Sequence, residues 1–88
     1  MDKQTVLVCE NSGFADYLHL YIPIEEYQSK VSLSYAHDEL TRLFNEYDID
    51  MVALMCMPAQ QEDIKAHIRK IAPDVTILEG DNLNGLFN

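Results

Sequence analysis

The sequence predicts an α/β fold: a small mixed, mostly parallel sheet of about four strands with two main helices, in the order β-β-α-β-α-β. Three observations predict it. The run Met51-Val52-Ala53-Leu54-Met55-Cys56-Met57 is apolar without a break, the pattern of a parallel strand covered on both faces. It is flanked on each side by a segment whose apolar residues recur at helical spacing. Short strand-like runs, Thr5-Val6-Leu7-Val8-Cys9 and Val75-Thr76-Ile77-Leu78, stand near the two ends.

The first run ends at Glu10-Asn11-Ser12-Gly13, residue types that favour a turn. From Tyr17 to Ile24 the chain alternates, with Leu18, Leu20, Ile22 and Ile24 on one side and Tyr17, His19, Tyr21 and Pro23 on the other. That period of two marks a half-buried strand, and Pro23, which supplies no ladder donor, places it at an edge of the sheet. A helix from Phe14 to Ile22 is the alternative, because Phe14, Leu18 and Ile22 are also four apart. Glu25 to Lys30 is polar and reads as a connection anchored by Tyr27.

Ala36, Leu40, Leu43, Phe44 and Tyr47 share one face of a helix from about Tyr35 to Tyr47, with Ser34 as N-cap and Asp38 and Glu39 favoured by the macrodipole near its start. A second helix spans Gln60 to Ala72, burying Ile64, Ile68 and Ile71, carrying Arg69 and Lys70 near its end and stopped by Pro73. The strands at 5–9, 51–57 and 75–78 then run in parallel, with 51–57 at the centre of the sheet. Residues 1–80 form one domain; 81–88 is a short tail that is polar except for Leu83, Leu86 and Phe87, which either dock on the domain or bind something.

The stretch from Tyr47 to Gly80, with its Asp-Met-Val-Ala-Leu-Met-Cys-Met-Pro strand and Pro-Asp-Val-Thr-Ile-Leu-Glu-Gly segment, resembles the second half of a response-regulator receiver domain. The resemblance covers only this later part of the chain and implies a shared architecture. It would put a phospho-accepting aspartate between Leu54 and Cys56, where there is no carboxylate, and no acidic pair follows the first strand. No site is carried over.

Fifteen carboxylates against six basic side chains give a formal charge of -9 over 88 residues, which repels nucleic acid and anionic membranes. The composition, 48% hydrophobic and 24% charged, is that of a globular domain and not of a disordered chain. No apolar run is long enough to cross a bilayer and no signal-peptide core follows Met1, so a cytoplasmic protein is expected. Two cysteines in apolar strands, without CxxC or zinc-type spacing, read as structural thiols with no disulfide framework, metal site or cofactor.

Ligands of open α/β sheets collect at the carboxyl ends of the strands, so a possible ligand edge comprises Cys9, Glu10, Asn11, Ser12 and Cys56. Neither GxGxxG nor GxxxxGK[ST] is present, no GxSxG elbow marks a nucleophile, and no catalytic residue is assigned. The leading expectation is a non-enzymatic acidic module, an inhibitor or adaptor that occupies a basic surface of a partner protein, such as a nucleic-acid-binding site. Its partner-binding residues would be Glu25, Glu26, Asp38, Glu39, Glu46, Asp48 and Asp50. A homodimer is open, since Tyr17, Tyr21, Tyr27 and Tyr35 are of a type enriched at interfaces. The alternative is a small enzyme or ligand-binding domain using the Cys9-to-Gly13 and Cys56 edge.

Overall fold

The computed structural model describes residues 5–11, 16–56 and 58–79. In chain order it contains β1 (Val6–Glu10), β2 (Tyr17–Ile22), β3 (Tyr27–Ser32), α1 (Ala36–Glu46), β4 (Met51–Met55), α2 (Pro58–Ile71) and β5 (Thr76–Glu79). The strands form one sheet in the order β3-β2-β1-β4-β5. β1 pairs in parallel with β4, as does β4 with β5, while β1, β2 and β3 form an antiparallel meander. The α/β class and the three parallel strands agree with the sequence.

Four details differ. The sheet has five strands, because Tyr27–Ser32 is a strand and not a connection. β2 is internal, not at the edge: it ends at Ile22, and Pro23 opens a short 3-10 turn over Pro23–Glu25, where a missing N–H costs nothing. The centre of the sheet is β1, with β4 one place to its side.

The fourth difference concerns which faces are covered. Leu7 and Cys9 of β1, Leu18, Leu20 and Ile22 of β2, and Val52 and Leu54 of β4 are fully buried against Leu40 and Leu43 of α1 and Ile64 and Ile68 of α2. Both helices therefore pack on one face of the sheet. The residues between them in each strand point the other way: Val6, Val8 and Glu10; Tyr17, His19 and Tyr21; Met51, Ala53 and Met55. Ala53 is the one of these that is fully buried, and Met55 is exposed. Among the described residues β4 is thus covered by helices on one face only, and its unbroken apolar run leaves Met51 and Met55 on the face to which neither α1 nor α2 packs.

Local chemistry sets the ends of the helices. Ser32, not Ser34, is the capping side chain: it accepts the Ser34 N–H at 3.3 Å and starts a 3-10 turn over Leu33–Tyr35 that leads into α1. α2 begins at Pro58, whose fixed φ suits a first helical turn. At its other end the Arg69 guanidinium donates to the carbonyls of Pro73 and Val75 at 3.2 and 2.9 Å, fixing the turn into β5. No helix among the described residues is long and apolar enough to cross a membrane.

Candidate functional site

β2 ends at the amino end of β1, because the two strands are antiparallel. The chain enters β4 and β5 at that same end, because those strands are parallel to β1. Three connections therefore meet there: 23–26 between β2 and β3, 47–50 between α1 and β4, and 72–75 between α2 and β5. They bring exposed Glu25, Glu26, Asp48, Asp50 and Asp74 to one end of the sheet, with Glu46 in the last turn of α1 beside them. Glu26 holds a left-handed conformation at φ 54°, which turns the chain from β2 into β3. Asp50 is also structural, since its carboxylate accepts the Thr5 N–H at 2.9 Å. A depression of about 310 Å³, lined by Ile49, Asp50, Ala72, Pro73, Asp74 and Val75, opens at this acidic end.

Asp38 and Glu39 do not join that group. Asp38 lies in the first turn of α1, toward the opposite end of the sheet. Glu39 is held in a polar network: the Tyr27 hydroxyl donates to it at 2.6 Å and Arg42 donates to it at 2.6 and 3.0 Å. Arg42 holds the Glu39 carboxyl below the usual range, and burial followed by the Glu39 hydrogen bond pushes the Tyr27 phenol up. Arg42 also pairs with Glu46 one turn on. Glu39 and Glu46 thus share one guanidinium, and their outward field is reduced accordingly.

At the carboxyl edge, Cys9 is fully buried and faces the helices. Cys56 follows β4, and its thiol donates to the Cys9 carbonyl at 3.3 Å. Burial pushes the Cys9 thiol well up, and burial with the nearby Glu10 charge pushes Cys56 up to about 11. Both shifts favour the protonated thiol over the thiolate. Asn11 is buried and ties the edge together, its backbone N–H meeting the Met55 carbonyl at 3.3 Å and its side chain donating to the Tyr17 carbonyl at 2.8 Å. Ser12 lies outside the described residues, as do Leu83, Leu86 and Phe87.

Glu10 points to the face without helices. The register pairs it with His19, and the next paired position on that face joins Val8 to Tyr21. The Tyr21 hydroxyl donates to Glu10 Oε1 at 3.1 Å and lies 2.7 Å from His19 Nδ1. Its one proton goes to the carboxylate, so Nδ1 carries the proton of the second bond. Burial and then the Glu10 hydrogen bond push the Tyr21 phenol up. The alternation of β2 already put His19 and Tyr21 on one face; the partner strand's register, which brings Glu10 to them, is what the sequence did not reveal.

A further polar group joins the helices. His37 of α1 and His67 of α2 stack with centroids 4.2 Å apart and planes within 7°. His37 Nε2 meets Asp63 at 2.8 Å, and His67 Nε2 meets the Thr41 hydroxyl at 3.0 Å. Stacked rings hold their in-plane lone pairs in two separate, nearly parallel planes, so the two do not converge on one ion. Among the described residues, no three His, Cys, Asp or Glu side chains gather as a metal-holding set. Of the tyrosines, Tyr17 and Tyr35 are exposed, while Tyr21 and Tyr27 are engaged as described.

Comparison with protein-family models, with curated proteins and with solved structures finds no match to this chain.

Proposed function

We propose that this chain is a non-enzymatic, acidic protein-binding module, an inhibitor or adaptor that occupies a basic surface of a partner protein such as a nucleic-acid-binding site. One observation carries the reading: Glu25, Glu26, Asp48, Asp50 and Asp74 reach the same end of the sheet from three separate connections. Carboxylates held at one end of a sheet add their fields, and a surface of one sign raises the encounter rate with a surface of the other. Arg42 is paired with Glu39 and Glu46, while Arg69 and Lys70, in the last turn of α2 beside the third connection, offset part of the charge there.

The depression beside Asp50 and Asp74 adds shape to charge. Ile49, Ala72 and Val75 offer apolar contact there, and Asp50 and Asp74 line it with them. A lysine or arginine side chain has the matching form, an apolar stem with a cationic head. The binding surface is accordingly this end of the sheet, with Asp38 and Glu39 outside it.

The test is a pull-down from lysate with mass-spectrometric identification, followed by kinetics of the purified pair over a range of salt. Charge-led association should slow steeply as ionic strength rises. An association rate indifferent to salt would sink the proposal and turn attention to the face without helices.

A further inference from the structure

We propose that Glu10, Tyr21 and His19 form a binding site for one divalent transition-metal ion, with copper(II) as the ion whose preferred geometry fits.

The case begins with three distances among three atoms. Glu10 Oε1, the Tyr21 oxygen and His19 Nδ1 are separated by 3.1, 2.7 and 4.0 Å. A triangle with those sides is right-angled at the phenol oxygen to within a few degrees, so the midpoint of its long side lies about 2.0 Å from all three atoms. Bonds from a transition metal to imidazole nitrogen and carboxylate oxygen are about 2.0 to 2.2 Å long. An ion at that point has carboxylate and imidazole opposite one another and the phenol oxygen at right angles to both. These are three corners of a square plane. Mixed nitrogen and oxygen donors in a tetragonal arrangement suit copper(II), or more weakly nickel(II), whereas zinc prefers a tetrahedron that this set does not describe.

The fold holds the donors in place before any ion arrives. Glu10 and His19 are directly paired residues of adjacent strands, β1 and β2, both internal to the sheet. Tyr21 stands two residues from His19 on the same face, with the two rings 4.3 Å apart. Strand positions of this kind fix side chains more closely than loops do. On binding, the Tyr21 hydroxyl proton passes to solvent, and His19 exchanges its Nδ1 proton for one on Nε2 through solvent, so that the ring stays neutral and its Nδ1 lone pair is freed. The phenolate oxygen then bonds the ion, and carboxylate and phenolate together offset its two positive charges.

Access and charge are also favourable. The side chains of Glu10 and His19 keep 44% and 32% of their exposure, so an ion can enter and water can fill the fourth corner. The chain's net negative charge draws cations in general. Lys30, paired with His19 across β3, opposes this locally. A site of this type is found by counting the phenol as a donor; the two conventional ligands alone do not make a set.

The experiment titrates Cu²⁺ alone into the full chain against a weak competing chelator, with paramagnetic resonance and visible absorption. The proposal requires one saturable ion, coupling to a single imidazole nitrogen, and a phenolate-to-copper charge-transfer band. Tyr21→Phe keeps the ring and should abolish the band and weaken binding roughly tenfold or more. His19→Gln should remove the nitrogen coupling. The double variant His37→Gln, His67→Gln should change none of these. Should Tyr21→Phe fail to fold, Glu10→Gln reads the same loss of affinity. Absence of a saturable single site, a band that survives in Tyr21→Phe, or a two-nitrogen signal lost in the His37, His67 double variant would each overturn the assignment.

Discussion

The Tyr27 hydroxyl of β3 donates to the Glu39 carboxylate of α1 at 2.6 Å, joining an outer strand of the sheet to the helix that crosses it. The bond is charge-assisted, and its acceptor keeps only 18% of its side-chain exposure. The same ring packs against Tyr47, with centroids 5.9 Å apart. Tyr27→Phe keeps that packing and removes the donor. It should cost about 1 to 2 kcal/mol in urea unfolding and raise the Glu39 pKa toward its ordinary value, both read against the parent protein. An unchanged midpoint would mean that Arg42 alone supports Glu39.

Why the sequence concealed β3 follows from the same residue. In Tyr27-Gln28-Ser29-Lys30-Val31-Ser32 only Tyr27 and Val31 give the inward side apolar character, and Ser29 between them breaks the visible alternation. The turn before it carries no Gly or Asn to signal a left-handed position, which Glu26 adopts instead. The 51–57 run misled in the opposite way. Apolar residues on both sides of a strand imply helices on both faces, but Met51 and Met55 face away from both helices. What was legible was what periodicity alone determines: the helices, the parallel strands and the shared face of His19 and Tyr21. The three-connection acidic end was not legible, because it depends on strand order, which no local pattern encodes.

Strand order in turn predicts where the backbone is most protected. β1 is bonded on one side to β2 and on the other to β4, and Leu7 and Cys9 are fully buried. Amide exchange should be slowest in Leu7 to Cys9 and faster toward β3 and β5, each of which has one strand neighbour. Protection centred on Val52 to Met55 instead would place the middle of the sheet at β4.

His67 makes stability depend on pH. Burial chiefly, then the charge of His37 stacked on it, lowers its pKa in the folded state, with Lys70 adding to the effect and Asp63 opposing it. The unfolded chain therefore binds a proton more readily than the folded one. The stability involved is fully present above about pH 6.5 and is lost as the pH falls through the lowered value. His67→Gln should flatten the stability profile in that window without changing its slope near pH 4, where Glu39, also lowered when folded, takes over. Denaturant midpoints across pH 4 to 8 read both effects; an unaltered slope below pH 6.5 in the variant would remove His67 from the account.

The acidic end can be separated from the acidic helix by choice of residue. Glu39 and Glu46 are paired with Arg42, so reversing either disturbs an ion-pair network and the fold along with it. Asp50 accepts the Thr5 N–H and is unsuitable for the same reason. Glu25 and Asp48 are exposed, and no hydrogen bond or ion pair of their side chains is seen among the described residues. Exposed charges contribute about 0 to 1 kcal/mol each to folding, so Glu25→Lys with Asp48→Lys should leave the unfolding midpoint nearly unchanged. Their fields, however, extend over a Debye length of about 8 Å at physiological salt. Against a basic partner the double variant should associate more slowly, roughly tenfold at low ionic strength, and show a shallower dependence on salt. Asp38→Lys, at the far end of α1, serves as the comparison and should have the smaller effect. If Asp38→Lys slows association as much as the double variant does, net charge and not this end of the sheet governs the encounter.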